Sequence, residues 1–191
     1  MQKNYLEYLE STSKKFAGEK NLFDIVLFGS AIKDKENPSD IDIAVVFINE
    51  KLDKRLNIAQ EFKKIIKSQV DKIHITAINI SDLFMKSMLA RQGIIAEGYS
   101  LVDNAPFANK LGFYGYVIFT YNLKNLDHNK KTRFTYALIG RENKEGIIKL
   151  TGARVLGKGA VAVPSEKSIL FLNFLERWNI NFIERKALIE I

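Results

Sequence analysis

The sequence predicts an α/β (α+β) protein: a small mixed β-sheet with helices packed on it, followed by a smaller, basic α+β part. Three observations carry this prediction. Runs dense in β-branched and aromatic residues alternate with runs of helical period through the first hundred residues. The pattern breaks at 103-DNAPFANKLG-112, where Pro106 and Gly112 lie close together, which sets two domains, 1–105 and 106–191. Charge also divides there: residues 1–105 hold 15 Lys and Arg against 15 Asp and Glu, whereas 106–191 hold 14 against 7. The net charge of +7 therefore belongs wholly to the second part, and points to an anionic partner, nucleic acid first.

The elements follow in order. Tyr5, Leu6, Leu9 and Phe16 fall at helical spacing, and Gly18 is a candidate stop. The runs 22-LFDIVLF-28 and 41-IDIAVVFI-48 are strands, joined by a polar connection containing Pro38. Leu52, Leu56, Ala59, Phe62, Ile65 and Ile66 mark an amphipathic helix with Lys63, Lys64 and Lys67 outward. Residues 72-KIHITAI-78 alternate as a third strand, Ser81 caps a helix carrying Leu83, Phe84, Met88 and Leu89, and 98-GYSLV-102 closes the unit. In the second part, 114-YGYVIFTY-121 fits a strand or a short buried helix. A basic helix over 130–141 ends at Gly140, and the glycine-spaced 146–164 reads as a hairpin. A last helix starts at Ser165 and Glu166 and runs through Trp178, burying Ile169, Leu170, Leu172, Phe174 and Leu175.

Composition excludes several classes. No apolar run reaches the roughly 20 residues of a membrane span, and the N-terminus lacks a signal-peptide core, so no membrane partner is expected. The chain has no cysteine, hence no disulfide or thiolate metal site, and a cytoplasmic location fits. With only His74 and His128, a histidine-rich zinc site cannot form; a metal would be a hard ion on carboxylates, Mg²⁺ or Mn²⁺.

The stretch 27-LFGSAIKDKENPSDIDIAVVF-47 carries the chemistry. On a strand, Asp40 and Asp42 project to one face while Ile41 and Ile43 pack on the other. Two carboxylates so placed repel unless a cation lies between them, and paired divalent ions serve in-line phosphoryl or nucleotidyl transfer. Gly29 lets backbone approach a ligand, and Ser30 begins a helical turn whose N–H groups and hydroxyl suit phosphate oxygens. Together they form a site for a nucleoside triphosphate (NTP) carried by Mg²⁺.

Gly29-Ser30, with nine residues between Ser30 and Asp40, and then Ser39-Asp40-Ile41-Asp42-Ile43-Ala44, resembles the signature of the DNA polymerase β-type nucleotidyltransferase superfamily. The closest likeness is to its minimal nucleotidyltransferases of archaea and bacteria; an archaeal source suits the composition, rich in Ile, Lys and Asn. The resemblance covers roughly residues 20–103. It implies the nucleotidyltransferase fold for 1–105, Gly29, Ser30 and Lys33 on the triphosphate, and Asp40 and Asp42 on the metals. Lys33 stands where many relatives have arginine, and Asp34 where they have a further glycine. Competent relatives also carry a third carboxylate on the next strand. Asp71 is the only acid there, and on strict alternation it faces away from Lys72, His74 and Thr76. Either a bulge turns Asp71 inward, or His74 occupies the catalytic face as base, metal ligand or phosphate partner, or neither reaches the ions.

In the second part, Lys130, Lys131, Arg133 and Arg141 interleave with Tyr121, Phe134 and Tyr136, and Arg154 and Lys158 lie in 152-GARVLGKG-159. These six cations are candidate nucleic-acid contacts. The leading functional expectation is a metal-dependent transferase moving a nucleoside monophosphate onto an acceptor, a nucleic-acid end in view of the charge, with release of pyrophosphate. The alternatives are an antitoxin-type enzyme modifying a HEPN-like protein partner, as the resemblance allows, and a weakly catalytic nucleotide- or nucleic-acid-binding protein.

Overall fold

The computed structural model describes residues 3–33, 40–69 and 72–190. The chain forms two compact units, residues 1–112 and 113–191.

In the first unit the elements run α1 (Lys3–Lys20), β1 (Asp24–Phe28), α2 (Ser30–Lys33), β2 (Ile41–Phe47), α3 (Leu52–Ile66), β3 (Ile73–Asn79), α4 (Arg91–Glu97), β4 (Tyr99–Ser100), β5 (Ala105–Pro106) and α5 (Phe107–Lys110). The five strands make one mixed sheet in the order β3-β2-β1-β4-β5, in which only β2 and β3 pair in parallel. Alternation sorts the side chains. Ile25, Leu27, Ile41, Ile43, Val45, Phe47 and Ile73 face a core closed by α1 and α3, where the Phe16 and Phe62 rings lie 5.1 Å apart. The opposite face carries Val26, Ala44, Val46 and Ile78, packed by Leu83, Ile94 and Phe107. Tyr99 ties β4 to α1: its hydroxyl donates to Glu10 Oε1 at 3.0 Å, and burial, followed by the neighbouring carboxylate, pushes its pKa up to about 12.

Several local expectations change. Gly18 does not stop α1, which continues to Lys20; Asn21, at φ 53°, ends it in the left-handed conformation that asparagine tolerates. Ser81 does not cap a helix. Asn79 does, with Asp82 in a reciprocal capping box, and the turn at Ile80–Phe84 is a short 3-10 helix that leaves Phe84 and Leu89 exposed. On α3, Leu52, Leu56 and Ile65 are exposed, and the core face is Ala59, Phe62 and Ile66.

In the second unit the order is β6 (Phe113–Tyr121), α6 (His128–Ile139), β7 (Gly140–Arg141), β8 (Lys144–Glu145), α7 (Ile147–Thr151), β9 (Arg154–Gly157), β10 (Ala160–Pro164), α8 (Ser168–Arg177) and β11 (Phe182–Glu190). Strands β11-β6-β10-β9 form a fully antiparallel sheet. Without β7, β8 and α7 this is a β-α-β-β-α-β unit of split-βαβ topology, so those three elements are an insertion between α6 and β9. Val117, Phe119, Val161 and Val163 face α6 and α8, whose Phe134, Phe171 and Leu175 complete the core. The residues 114–121 resolve to strand; α7 precedes the hairpin; and Leu170, expected inside, is 51% exposed. Asp127 caps α6 by accepting the Lys130 N–H at 2.8 Å, and that bond holds its carboxyl below the usual range. Gly140, at φ 97°, ends the helix as its spacing predicts.

Candidate active site

β1 and β2 lie antiparallel with Phe28 opposite Asp42, so Gly29, the next residue, turns back beside that carboxylate. Gly29 has φ 77°, and a Cβ built on it would stand 2.5 Å from Asp42 Oδ2. Only glycine brings the backbone so near. Ser30 begins α2, and its hydroxyl donates to the Asp40 carbonyl at 3.0 Å, fastening the glycine turn to the entry of β2. Asp40 precedes the strand and Asp42 is its second residue; both are half-buried. On the other side of β2, the Ile41 N–H donates to the Lys72 carbonyl at 3.0 Å, which sets the parallel register and places His74 beside Asp42. Parallel neighbours share a face about 4.8 Å apart, and His74 is exposed there.

Gly29, Ser30, Asp40, Asp42 and His74 are thus brought together at one end of the sheet. Lys33 is the last residue of α2, and the position of its side chain lies outside what the structure describes, as do Asp34 and Asp71. Lys72 sits at φ 53°, ahead of β3, so the alternation that would seat it with His74 stops at Ile73.

A second aspartate on the same face gives the comparison that matters. Asp24 opens β1, two residues before Val26 and four before Phe28, and is fully buried. It has partners on every side. Lys110 donates to Oδ2 at 2.9 Å, and Ser100 Oγ and the Ile25 N–H donate to Oδ1 at 2.8 and 2.7 Å. Burial pushes its carboxyl above the ordinary value, with those donors pulling the other way. Burial lowers Lys110 in turn, but its hydrogen bonds to Asp103 and Asp24 carry it above the ordinary lysine value. Asp24 was legible by the rule that singles out Asp42: a carboxylate in an apolar strand needs a partner. Asp24 has a built cation. Among the described residues, Asp40 and Asp42 have none.

Nor do three or more carboxylates or histidines gather into a metal site among the described residues. The donor set fits a hard ion that takes one or two protein carboxylates and completes its shell with water and phosphate oxygens, which is how Mg²⁺ is commonly held. Gly29→Ala is expected to cost about 1–2 kcal/mol for the left-handed backbone and to push the Asp42 carboxylate aside. A lower melting temperature with loss of nucleotide binding checks it; an unchanged protein contradicts the close approach.

The six basic candidates of the second unit are spread out. Lys130, Lys131 and Arg133 are exposed on α6, Lys130 within 3.8 Å of Asp127. Arg141 lies over the Tyr136 ring, 4.7 Å from its centroid. Arg154 lies over Tyr116 at 5.9 Å, on the sheet face away from α6, and Lys158 is exposed in the β9–β10 turn. Lys144, Arg177 and Trp178, which sequence reasoning did not single out, join Arg141 around one cavity.

Residues 10–98 match the family model "Polymerase beta, Nucleotidyltransferase". No curated protein matches the chain. A solved structure titled a tri-AMPylated Shewanella oneidensis HEPN toxin in complex with MNT antitoxin is similar at 20% identity. The match covers 53% of this chain and 71% of that one, with a TM-score of 0.34. The matched segment contains the glycine turn and both aspartates, and the match is consistent with the polymerase β-type nucleotidyltransferase superfamily.

Proposed function

We propose that the chain is a divalent-metal-dependent nucleotidyltransferase that moves a nucleoside monophosphate from an NTP to an acceptor and releases pyrophosphate. The observation that supports this reading is the contrast between two strand aspartates: Asp24 is neutralised by Lys110, whereas Asp42, pressed against Gly29, has no cation partner among the described residues.

Each residue has a part in this account. Asp40 and Asp42 would hold the ion, Mg²⁺ or Mn²⁺, which supplies charge neutralisation on the phosphates and polarises the attacking oxygen. Gly29 leaves room for the Asp42 carboxylate against the turn, and backbone N–H groups of the turn into α2 would donate to phosphate oxygens. Ser30, through the Asp40 carbonyl, keeps turn and carboxylates in register. His74, exposed beside Asp42, would meet the acceptor or a phosphate oxygen. Position and electrostatics do most of the work in phosphoryl and nucleotidyl transfer.

The test is transfer from α-labelled NTPs in Mg²⁺ or Mn²⁺, with single-stranded oligonucleotides and purified proteins offered as acceptors in separate arms. Label should move with release of pyrophosphate, and a chelator should stop it. Transfer that survives chelation would overturn the metal-dependent reading.

A further inference from the structure

The second unit departs from a plain split-βαβ fold by the insertion of β7, β8 and α7, and that insertion builds something. Against α6 and α8 it encloses an open groove of about 870 Å³, within the range of ligand sites. Arg141 and Lys144 come from the insertion, Tyr136 from α6, and Leu170, Arg177 and Trp178 from α8 and its end. The acid in the wall, Glu145, is already paired with Lys149. Arg141 has Glu142 at 3.2 Å, on a side chain 77% exposed, where the pairing is weak and exchangeable. Lys144 and Arg177 are exposed, and neither has an ion-pair partner among the described residues.

The charge is thus positive, and the floor is aromatic and apolar. Trp178 is half-buried against Phe134, at 5.5 Å and nearly perpendicular, so its indole is held rigidly. The Arg141 guanidinium lies over Tyr136 and offers a flat, charged plane. Asn173 adds amide donor and acceptor groups at the rim. Flat π surfaces among unpaired cations suit a chain of phosphates that carries exposed bases. At the centre of the sheet's helix-free face, by contrast, Tyr116 is 7% exposed and Ala162 1%.

We propose that this groove binds single-stranded nucleic acid, with bases against Trp178 and the Arg141 plane and phosphates on Lys144 and Arg177. As a binding site it stands on its own chemistry; as the surface that presents an acceptor it rests on the transferase reading.

The chain's only tryptophan is the reporter. Short mixed-sequence RNA and DNA single strands are titrated separately into the full chain, and Trp178 emission is followed. Saturable quenching is expected in at least one arm, with affinity falling as salt rises. Lys144→Glu with Arg177→Glu, both on exposed side chains, should keep the far-ultraviolet spectrum and lose about tenfold or more in affinity, with a salt slope shallower by roughly 1–2. Asp42→Asn should leave quenching intact, which separates failure of the groove from failure of the catalytic site. Each of these results overturns the proposal: no binding in either arm, anisotropy-detected binding without quenching, or quenching by an acidic helical peptide but by neither nucleic acid. Equal affinity in the charge-reversed variant also overturns it.

Discussion

Asp42→Asn is expected to reduce nucleotidyl transfer by about 10²–10³-fold or more while leaving thermal stability unchanged or slightly higher. The activity loss follows from removing a charge that would hold the metal beside the transferring phosphate; lost single groups in such electrostatic sites have effects of this size. The stability effect runs the other way because, among the described residues, Asp42 meets no cation. A half-buried carboxylate beside Asp40 and the Gly29 backbone is a folding liability that a bound ion relieves. Thermal melts without metal and transfer assays with it measure the two effects. A variant that melts well below the parent would show Asp42 to be a structural residue. Full activity would remove it from the site.

Lys110→Met carries the opposite signature: large destabilisation from a residue with no part in the chemistry. Lys110 donates to Asp24 Oδ2, to Asp103 Oδ2 at 2.8 Å and to the Phe23 carbonyl at 3.1 Å, and lies 5.4 Å from the Phe23 ring centroid. Removing it leaves a fully buried carboxylate without its cation, a change that costs about 3–5 kcal/mol. The sign of the pH dependence follows from Asp24. Its folded pKa already lies above the ordinary value, and without Lys110 it rises further. A raised pKa means that the fold prefers the protonated form, so its stability is present in acid and is lost as pH rises through the folded value. The deficit of Lys110→Met against the parent should therefore be smallest in acid and grow toward neutrality. Lys110 itself is raised, so the parent keeps this ion pair until alkaline solution deprotonates the lysine. Urea unfolding followed by circular dichroism at acid and neutral pH measures the difference, and Trp178 emission reports the second unit separately. Asp24→Asn added to Lys110→Met should recover much of the loss at neutral pH. No recovery would mean that the cost lies in the Asp103 and Phe23 contacts instead.

The first unit was largely legible because its signals are local. Gly29-Ser30 follows β1 and Asp40-Ile41-Asp42 leads into β2, its antiparallel neighbour, and alternation along β2 assigns Asp42 and Ile41 to opposite faces. What the sequence hid has specific causes. α4 carries Gly93 near its start, which weakens the helical signal. β11 is an edge strand, and its run Glu184-Arg185-Lys186 breaks the apolar alternation, as charges on sheet edges do. It also pairs with β6, the first strand of the same unit, so its evidence lies at the far end of the unit. The basic groove escaped for a similar reason. Arg141, Lys144 and Arg177 converge only when α6, the insertion and α8 pack, and no spacing along the chain announces it.

The central claim is that Asp40 and Asp42 bind a divalent ion together with an NTP. Calorimetric titration of NTP with Mn²⁺ into the parent chain and into Asp40→Ala/Asp42→Ala tests it without knowledge of the acceptor. The account predicts saturable binding by the parent that requires Mn²⁺ and is lost in the double variant, with the fold of both intact. Equal binding by the two proteins, or parent binding indifferent to Mn²⁺, would contradict it.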